Sequence, residues 1–275
     1  ALGAMAAGLA HEIKNPLGAI KGAAQLLEES PGDASDPSAG EFIGIILEEV
    51  DRLNRVVGSF LDYARPHAGN PVPLDINAAV RRTMQILSSQ HAEAIDVKLE
   101  LSEKVPRAKI DAEQFRQVVI NLVQNAMQAM DGHGKVTIAT SPRKLSRAWA
   151  TMQASERVPS AQKSGAQKGL KSAAARVSRP DENLLEFVEV SVRDTGPGIS
   201  QKVLKNLFVP FFTTKEQGTG LGLAISQSIV QNAGGTIDVV SQAGAGTTFT
   251  ILLPAANETL GTPAPEPTAL QAART

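Results

Sequence analysis

FVEVSVRDTGPGI, residues 187–199, decides the fold of this chain. An apolar strand runs into an aspartate and then into two closely spaced glycines. A carboxylate buried at a strand end accepts a hydrogen bond from an exocyclic amino group, so Asp194 is expected to select adenine over guanine, which offers a carbonyl there. Gly196 and Gly198 permit close backbone approach and unusual φ values. A single GxG is usually only a tight turn, so the order of the surrounding segments carries the weight. Downstream stand FVPFFTTK at 208–215, GTGLGL at 218–223 and GAGTTF at 244–249. Upstream stand NLVQNA at 121–126 and, far earlier, LAHEIKNPL at 9–17. An imidazole on one helix and a nucleotide-type glycine constellation on a later segment suggest phosphate moving from a nucleotide to a histidine of the same protein.

The periodicity around these segments predicts an α+β multidomain chain. Residues 1–30 read as one helix, with Met5, Leu9, Ile13, Leu17, Ile20, Ala24 and Leu27 at three- and four-residue spacing. Pro16 should kink it just after His11. SPGDASDPSAG, 30–40, reads as a loop, and 41–64 as a second helix striped by Phe42, Ile46, Glu49, Leu53, Val57, Phe60 and Ala64. A lone antiparallel hairpin cannot bury its seam against water, so residues 1–66 are expected to form a homodimer through a four-helix bundle. Residues 67–73 read as a linker and 74–256 as an α/β sandwich, with a mixed sheet in one layer and helices in the other. Strands are expected near 73–75, 95–101, 107–110, 134–140, 185–194, 235–241 and 246–253. Helices are expected near 76–90, 112–130 and 219–233, with 196–218 as a loop. Residues 142–184 look like a disordered basic insertion: 142–180 holds nine Lys or Arg against the single acid Glu156. The competing reading is a docking surface for an acidic partner or a membrane face, with Trp149 as an anchor. The tail 257–275 is expected to be disordered.

Composition narrows the function classes. The net charge of −1 argues against nucleic-acid binding. The absence of Cys excludes disulfides and thiolate metal sites. No stretch approaches a membrane span, and no signal peptide is visible. The expectation is a cytoplasmic piece that makes no membrane contact itself. Residue 1 already falls inside a helical pattern, so the chain is expected to be cut from a longer protein, whose membrane attachment stays open.

His11 lies with Asn15, Gly18, Gly22 and Gln25 on the stripe opposite the apolar one and should face solvent. Neutral imidazole is a good nucleophile at pH 7. Glu12 is placed to accept from Nδ1–H or to take the proton released by attack. Asn15, one turn on, is placed to orient a water for the reverse, hydrolytic reaction. Asn121 and Asn125 share one face of a helix at i and i+4. An amide oxygen suits Mg²⁺, which keeps most of its waters and bridges phosphates, and Asn125 is the expected ligand. Two helical asparagines alone would suggest capping or solvation; the glycine segments reverse that reading. The glycines of 218–222 open a helix and offer N–H groups to phosphate. Lys215, on the lid between the glycine segments, is expected to neutralise phosphate charge, and Thr248 to reach the adenine edge. Phe208, Phe211 and Phe212 are expected to pack the lid or the hairpin interface. No GxxxxGK[ST] loop occurs.

Together these segments resemble the bacterial two-component sensor histidine kinases. HEIKNPL is similar to the H box, QVVINLVQNAMQA to the N box, and DTGPGI, FVPFFTTK and GTGLGL to the first glycine, F and second glycine boxes. The resemblance implies a Bergerat (GHKL) ATP-binding domain behind a dimeric hairpin. It implies ATP and Mg²⁺ as cofactors, autophosphorylation of His11, and transfer to an aspartate in the receiver domain of a response regulator. It carries nucleotide contacts onto Asn121, Asn125, Asp194, Gly196, Gly198, Ile199, Thr214, Lys215, Gly218, Thr219, Gly220, Leu221, Gly222, Leu223 and Thr248. HEIKNPLGAIKGAAQLL looks most like the nitrogen-regulation sensor group. Gln128 stands where many family members carry a basic residue. Rival readings are an ATPase of the wider superfamily, which lacks the upstream HEIKNP helix, and a degenerate kinase acting as a scaffold. Dephosphorylation of the regulator is an additional expected activity.

Overall fold

The computed structural model describes residues 2–29, 37–64, 69–90, 95–130, 133–146, 184–215 and 218–257. The expected tail beyond Asn257, Trp149 and most of the basic insertion lie outside the described residues. So does the side chain of His11, although its backbone is helical.

Two helices of equal length come first. Helix α1 (Leu2–Glu29) runs through Pro16, and α2 (Pro37–Ala64) packs back along it. Helix α2 starts earlier than expected because Pro37 opens it: proline at the first helical position loses no intrahelical bond and presets φ. Few apolar side chains are buried within the hairpin, chiefly Ala23 and Val56. Val56, not the expected Val57, is the buried one. Leu17, Ile43, Leu47 and Leu61 remain 50–61% exposed.

The second unit has strands β1 (Val72–Leu74), β2 (Ile95–Leu101), β3 (Ala108–Ile110), β4 (Gly134–Ser146), β5 (Leu184–Asp194), β6 (Thr236–Ser241) and β7 (Thr247–Pro254). Its helices are α3 (Ile76–Gln90), α4 (Ala112–Ala129), the short α5 (Gln201–Leu204) and α6 (Gly222–Asn232). The main sheet is ordered β2-β4-β5-β7-β6, with β2 and β4 parallel and the remaining neighbours antiparallel. β1 and β3 form a separate antiparallel pair, so β1 takes residues 72 and 73 out of the expected linker. Helix α4 packs beside both α3 and α6. Its residues Phe115, Val118, Val119, Leu122, Val123 and Ala126, at three- and four-residue spacing, are buried on the sheet.

Two differences from the sequence reading have physical causes. β4 and β5 continue as a ladder to Ser146↔Leu184, so 142–146 and 184 belong to strands and not to the insertion. Arg143 and Glu189 bridge that ladder through Nε at 2.8 Å and Nη2 at 3.0 Å, giving polar residues a paired reason to stay extended. The expected loop after the first glycine segment contains α5, one turn begun at Ser200.

Asp111 caps α4. Its Oδ1 accepts from the N–H groups of Glu113 (2.9 Å) and Gln114 (3.0 Å), and its Oδ2 accepts from the N–H of Asn70 (2.8 Å). The bond from Asn70, then that from Gln114, holds its carboxyl below the usual range. A depressed carboxyl pKa contributes stability above the ordinary carboxylate value that is lost as pH falls through the depressed one. Asp111→Ala is expected to cost about 1 kcal/mol at neutral pH. Thermal unfolding should show this penalty shrinking by about pH 3; a penalty independent of pH would contradict the capping role.

Candidate functional site

A cavity of about 1120 Å³ opens between α4, the loop after β5, the segments 207–215 and 218–220, and the start of α6. Asp194 forms part of its wall. Along β5 the buried positions Val190 and Val192 alternate into Asp194, so a carboxylate occupies a core register and is only 4% exposed. Its Oδ1 accepts from the backbone N–H of Gly196 (2.9 Å) and of Thr247 (3.1 Å). Its other oxygen has no hydrogen bond among the described residues. An acceptor held this rigidly, with one free oxygen in a cavity, suits an amino group of a ligand.

Backbone crossings set the loop around it. Gly198 has φ +72°, and a Cβ there would lie 2.1 Å from the carbonyl oxygen of Gln242. The freedom of Gly198 thus serves contact between two protein loops. Ser241 ties the same crossing: its Oγ accepts from Ile199 N–H at 2.8 Å and donates to the Gly246 carbonyl at 3.0 Å.

Helix α4 turns a stripe of amides to the cavity, including Asn121, Asn125 and Gln128. Asn121 is engaged within the protein. Its Nδ2 donates to the Gly222 carbonyl (3.0 Å) and to Ser226 Oγ (3.2 Å), while Oδ1 accepts from Gln117 Nε2 (3.0 Å). It therefore fixes the first turn of α6 against α4. The N-cap residue of α6, Leu221, makes no side-chain cap, and among the described residues this leaves the N–H groups of the first turn and the positive end of the dipole at the cavity for an anion. Asn121→Ala is expected to lower stability by about 1–2 kcal/mol through these lost bonds. Unfolding of the nucleotide-free protein measures it, and an unchanged midpoint would reject the clamp.

Asn125 faces a cation. Lys215 Nζ donates to Asn125 Oδ1 at 3.0 Å and to Gln128 Oε1 at 2.7 Å. Burial of this ammonium among amides lowers its pKa from the ordinary lysine value.

The hairpin closes the other side, through Arg55 and Ser59 of α2. Phe211, in the left-handed region at φ +65°, donates its N–H to the Gly220 carbonyl (3.0 Å). Its ring stacks on Phe60 of α2 with centroids 6.5 Å apart, and it lies against Gly8 of α1. Phe211 thus packs the lid onto the hairpin as expected, whereas Phe212 lines the cavity. Position 11 follows Gly8 by three residues, about 4.5 Å along the helix axis. Glu12 reaches Arg52 of α2 at 4.0 Å, and Asn15 is exposed.

Of the residues singled out in the sequence, Asn121, Asn125, Asp194, Gly198, Ile199, Thr214, Lys215, Gly218, Thr219, Gly220, Gly222 and Leu223 line the cavity. Gly196 stands behind it, donating to Asp194, and Leu221 is fully buried. Thr248 is a correction: Thr247 and Phe249 line the cavity, and the two-residue alternation of β7 turns Thr248 to the other face of the sheet. Sequence reasoning missed Thr247, Ser226, Ser241 and Arg55. A count of parity along β7 would have found Thr247; the others depend on long-range packing.

Residues 110–257 match the family described as Histidine kinase-, DNA gyrase B-, and HSP90-like ATPase, and residues 1–69 match the His Kinase A (phospho-acceptor) domain. Sensor histidine kinase ZraS of Escherichia coli (strain K12) is 34% identical over 258 residues, covering 92% of this chain and 46% of that protein. Sensory histidine kinase/phosphatase NtrB of Vibrio alginolyticus is 36% identical over 249 residues, 90% of this chain and 61% of its own length. The chain thus spans roughly half the length of these curated relatives. Histidine kinase ThkA, solved in complex with response regulator protein TrrA, superposes with a TM-score of 0.64 at 26% identity, over 92% of this chain and 61% of that one. Full-length ShkA, solved with AMPPNP, shares the fold at 23% identity and a TM-score of 0.55, over 90% of this chain and 45% of that one. With a phospho-acceptor hairpin ahead of a sheet-and-helix ATPase domain and both families matched in that order, this chain belongs to the sensor histidine kinases and carries their catalytic core.

Proposed function

We propose that this chain binds Mg-ATP in the cavity beside Asp194, phosphorylates its own His11, and passes the phosphoryl group to an aspartate of a response regulator receiver domain. The observation that carries the reading is the free oxygen of the buried Asp194 carboxylate, which accepts the exocyclic amino group of adenine. The triphosphate then extends toward the uncapped start of α6 and Lys215. In the transfer, imidazole Nε2 forms a bond to the γ-phosphorus. The bond from that phosphorus to the β–γ bridging oxygen breaks, and its electron pair leaves on ADP. The Nδ1 proton passes to Glu12, which Arg52 holds across the hairpin. Positioning and charge neutralisation supply most of the rate.

Asn125 fits a magnesium ion: its Oδ1 is a hard oxygen on the cavity wall and already faces the ammonium of Lys215. Asn125 would hold such an ion, and the ion would supply neutralisation of phosphate charge. Lys215, bonded to Asn125 and Gln128 in this structure, would then be free to turn toward the phosphates.

The exposed apolar side chains of the hairpin, Leu17, Ile43, Leu47 and Leu61 among them, support a homodimer through a four-helix bundle. The structure of ThkA with its response regulator supports a receiver domain as partner. Exposed Asn15 favours a second activity, hydrolysis of the regulator's phosphoryl group, by orienting a water. No helix among the described residues is long and apolar enough to cross a membrane, and a place on the cytoplasmic side suits this segment.

Incubation with Mg-ATP labelled at either the γ- or the α-phosphate tests the transfer. The γ-label should stay with the protein and the α-label should not. Retention of the α-label without the γ-label would mean nucleotidyl transfer, retention of both would mean nucleotide still bound and not transferred, and release of the γ-label as free phosphate without retention would mean an ATPase.

A further inference from the structure

Two arginines one helical turn apart on α2 have different surroundings. The guanidinium of Arg52 is shared between Glu12 (4.0 Å) and Glu49 (3.8 Å). Arg55 has no hydrogen-bond or ion-pair partner among the described residues, and it lines the nucleotide cavity beside Ser59. The cavity is short of positive charge for its ligand. Helix α4 contributes only uncharged residues, amides and alanines, and Asp194 adds a negative charge. Among the described residues that line it the cations are Lys215 and Arg55. Lys215 is taken up by Asn125 and Gln128, whereas Arg55 is not engaged. A guanidinium offers a planar fork of donors that matches phosphate oxygens, and it stays charged at any working pH.

We infer that Arg55 is a phosphate-positioning residue supplied by the hairpin, which grips the terminal phosphate of a nucleoside triphosphate bound in the neighbouring domain. The inference rests on the ATP reading above and adds a specificity to it. Arg55 lies three residues from Arg52, whose guanidinium reaches the residue next to His11. A phosphate held by Arg55 is therefore held on the hairpin side of the cavity. The adenine end belongs to Asp194 and the far phosphate end to Arg55, so a diphosphate lacks the group that Arg55 grips. A bound triphosphate also bridges the hairpin and the ATPase domain, so the arrangement shown here tightens with ATP and loosens after transfer.

The test is equilibrium binding of AMPPNP and of ADP, each with Mg²⁺, to the whole chain and to its Arg55→Gln, Arg55→Lys and Asp194→Asn variants. Arg55→Gln should weaken AMPPNP by about tenfold while leaving ADP within about twofold. Arg55→Lys should recover part of the loss, and the thermal midpoint of both should match the unsubstituted chain. The salt dependence of AMPPNP binding should also be shallower in Arg55→Gln, which a packing role would not produce. Equal weakening of both nucleotides, or no change in either, would overturn the inference. If Asp194→Asn still abolishes binding of both nucleotides in that case, the ATP reading stands and only the role of Arg55 falls. If the unsubstituted chain binds neither nucleotide, both fall together.

Discussion

Asp194→Asn is expected to remove nucleotide binding at ordinary working concentrations. The substitution is nearly isosteric, and its amide oxygen can still accept from the Gly196 and Thr247 N–H groups. What changes is the other atom, which becomes an NH₂ donor facing the donor amino group of adenine. A hydrogen bond to a charged acceptor is lost and two buried donors oppose each other, a cost of about 3 kcal/mol or a hundredfold or more in affinity. The fold should survive, because Asp194 sits at the end of β5 and its backbone pairing with Val136 is unaffected. Calorimetric titration with AMPPNP, alongside thermal unfolding, measures both. Near-normal binding by a folded Asn variant would remove the adenine assignment.

Gly246→Ala is expected to be the most damaging single methyl group in the ATPase domain. Gly246 has φ +83°, and a Cβ there would stand 2.1 Å from the backbone carbonyl oxygen of Asp194. Left-handed strain costs an alanine about 1–2 kcal/mol. Relieving the contact must displace backbone, because no flexible side chain can yield, adding about 1–3 kcal/mol. The displaced residue is Asp194 itself, so the damage reaches the site as well as the fold. A drop in the unfolding midpoint together with lost AMPPNP binding is the expected pair of results. An alanine variant with both properties intact would mean that the crossing of the 194–198 and 242–247 loops is looser than described.

Much of this architecture was legible because it is local. The burial face of α4 follows from apolar spacing. The register that buries Asp194 follows from strict alternation along β5. The order of hairpin, amide helix, acidic strand end and glycine segments led to the family and fold. Failures came where a second segment decides. The glycine segment at 244–249 points to a threonine beside the site, but only the parity of β7, fixed by its pairing with β5 and β6, puts Thr247 and not Thr248 on the cavity face. The length of β4 and β5 depends on pairing with each other, which a polar, basic stretch conceals. Asn121 reads as a ligand contact until Gly222, 101 residues away, comes within hydrogen-bond distance. Arg55 is one of many surface arginines in sequence, and only the packing of the hairpin on the lid through Phe60 and Phe211 turns it into cavity wall.

The central claim is that phosphate passes from ATP to the imidazole of His11. Its most direct measurement is the acid and alkali stability of γ-phosphate label on the whole chain, beside a His11→Ala variant whose AMPPNP binding is checked in parallel. A phosphorus–nitrogen bond predicts label that survives alkali, is lost in acid, and never appears on a variant that still binds AMPPNP. Label of the same stability on the His11→Ala variant, or acid-stable label on either protein, would contradict the account.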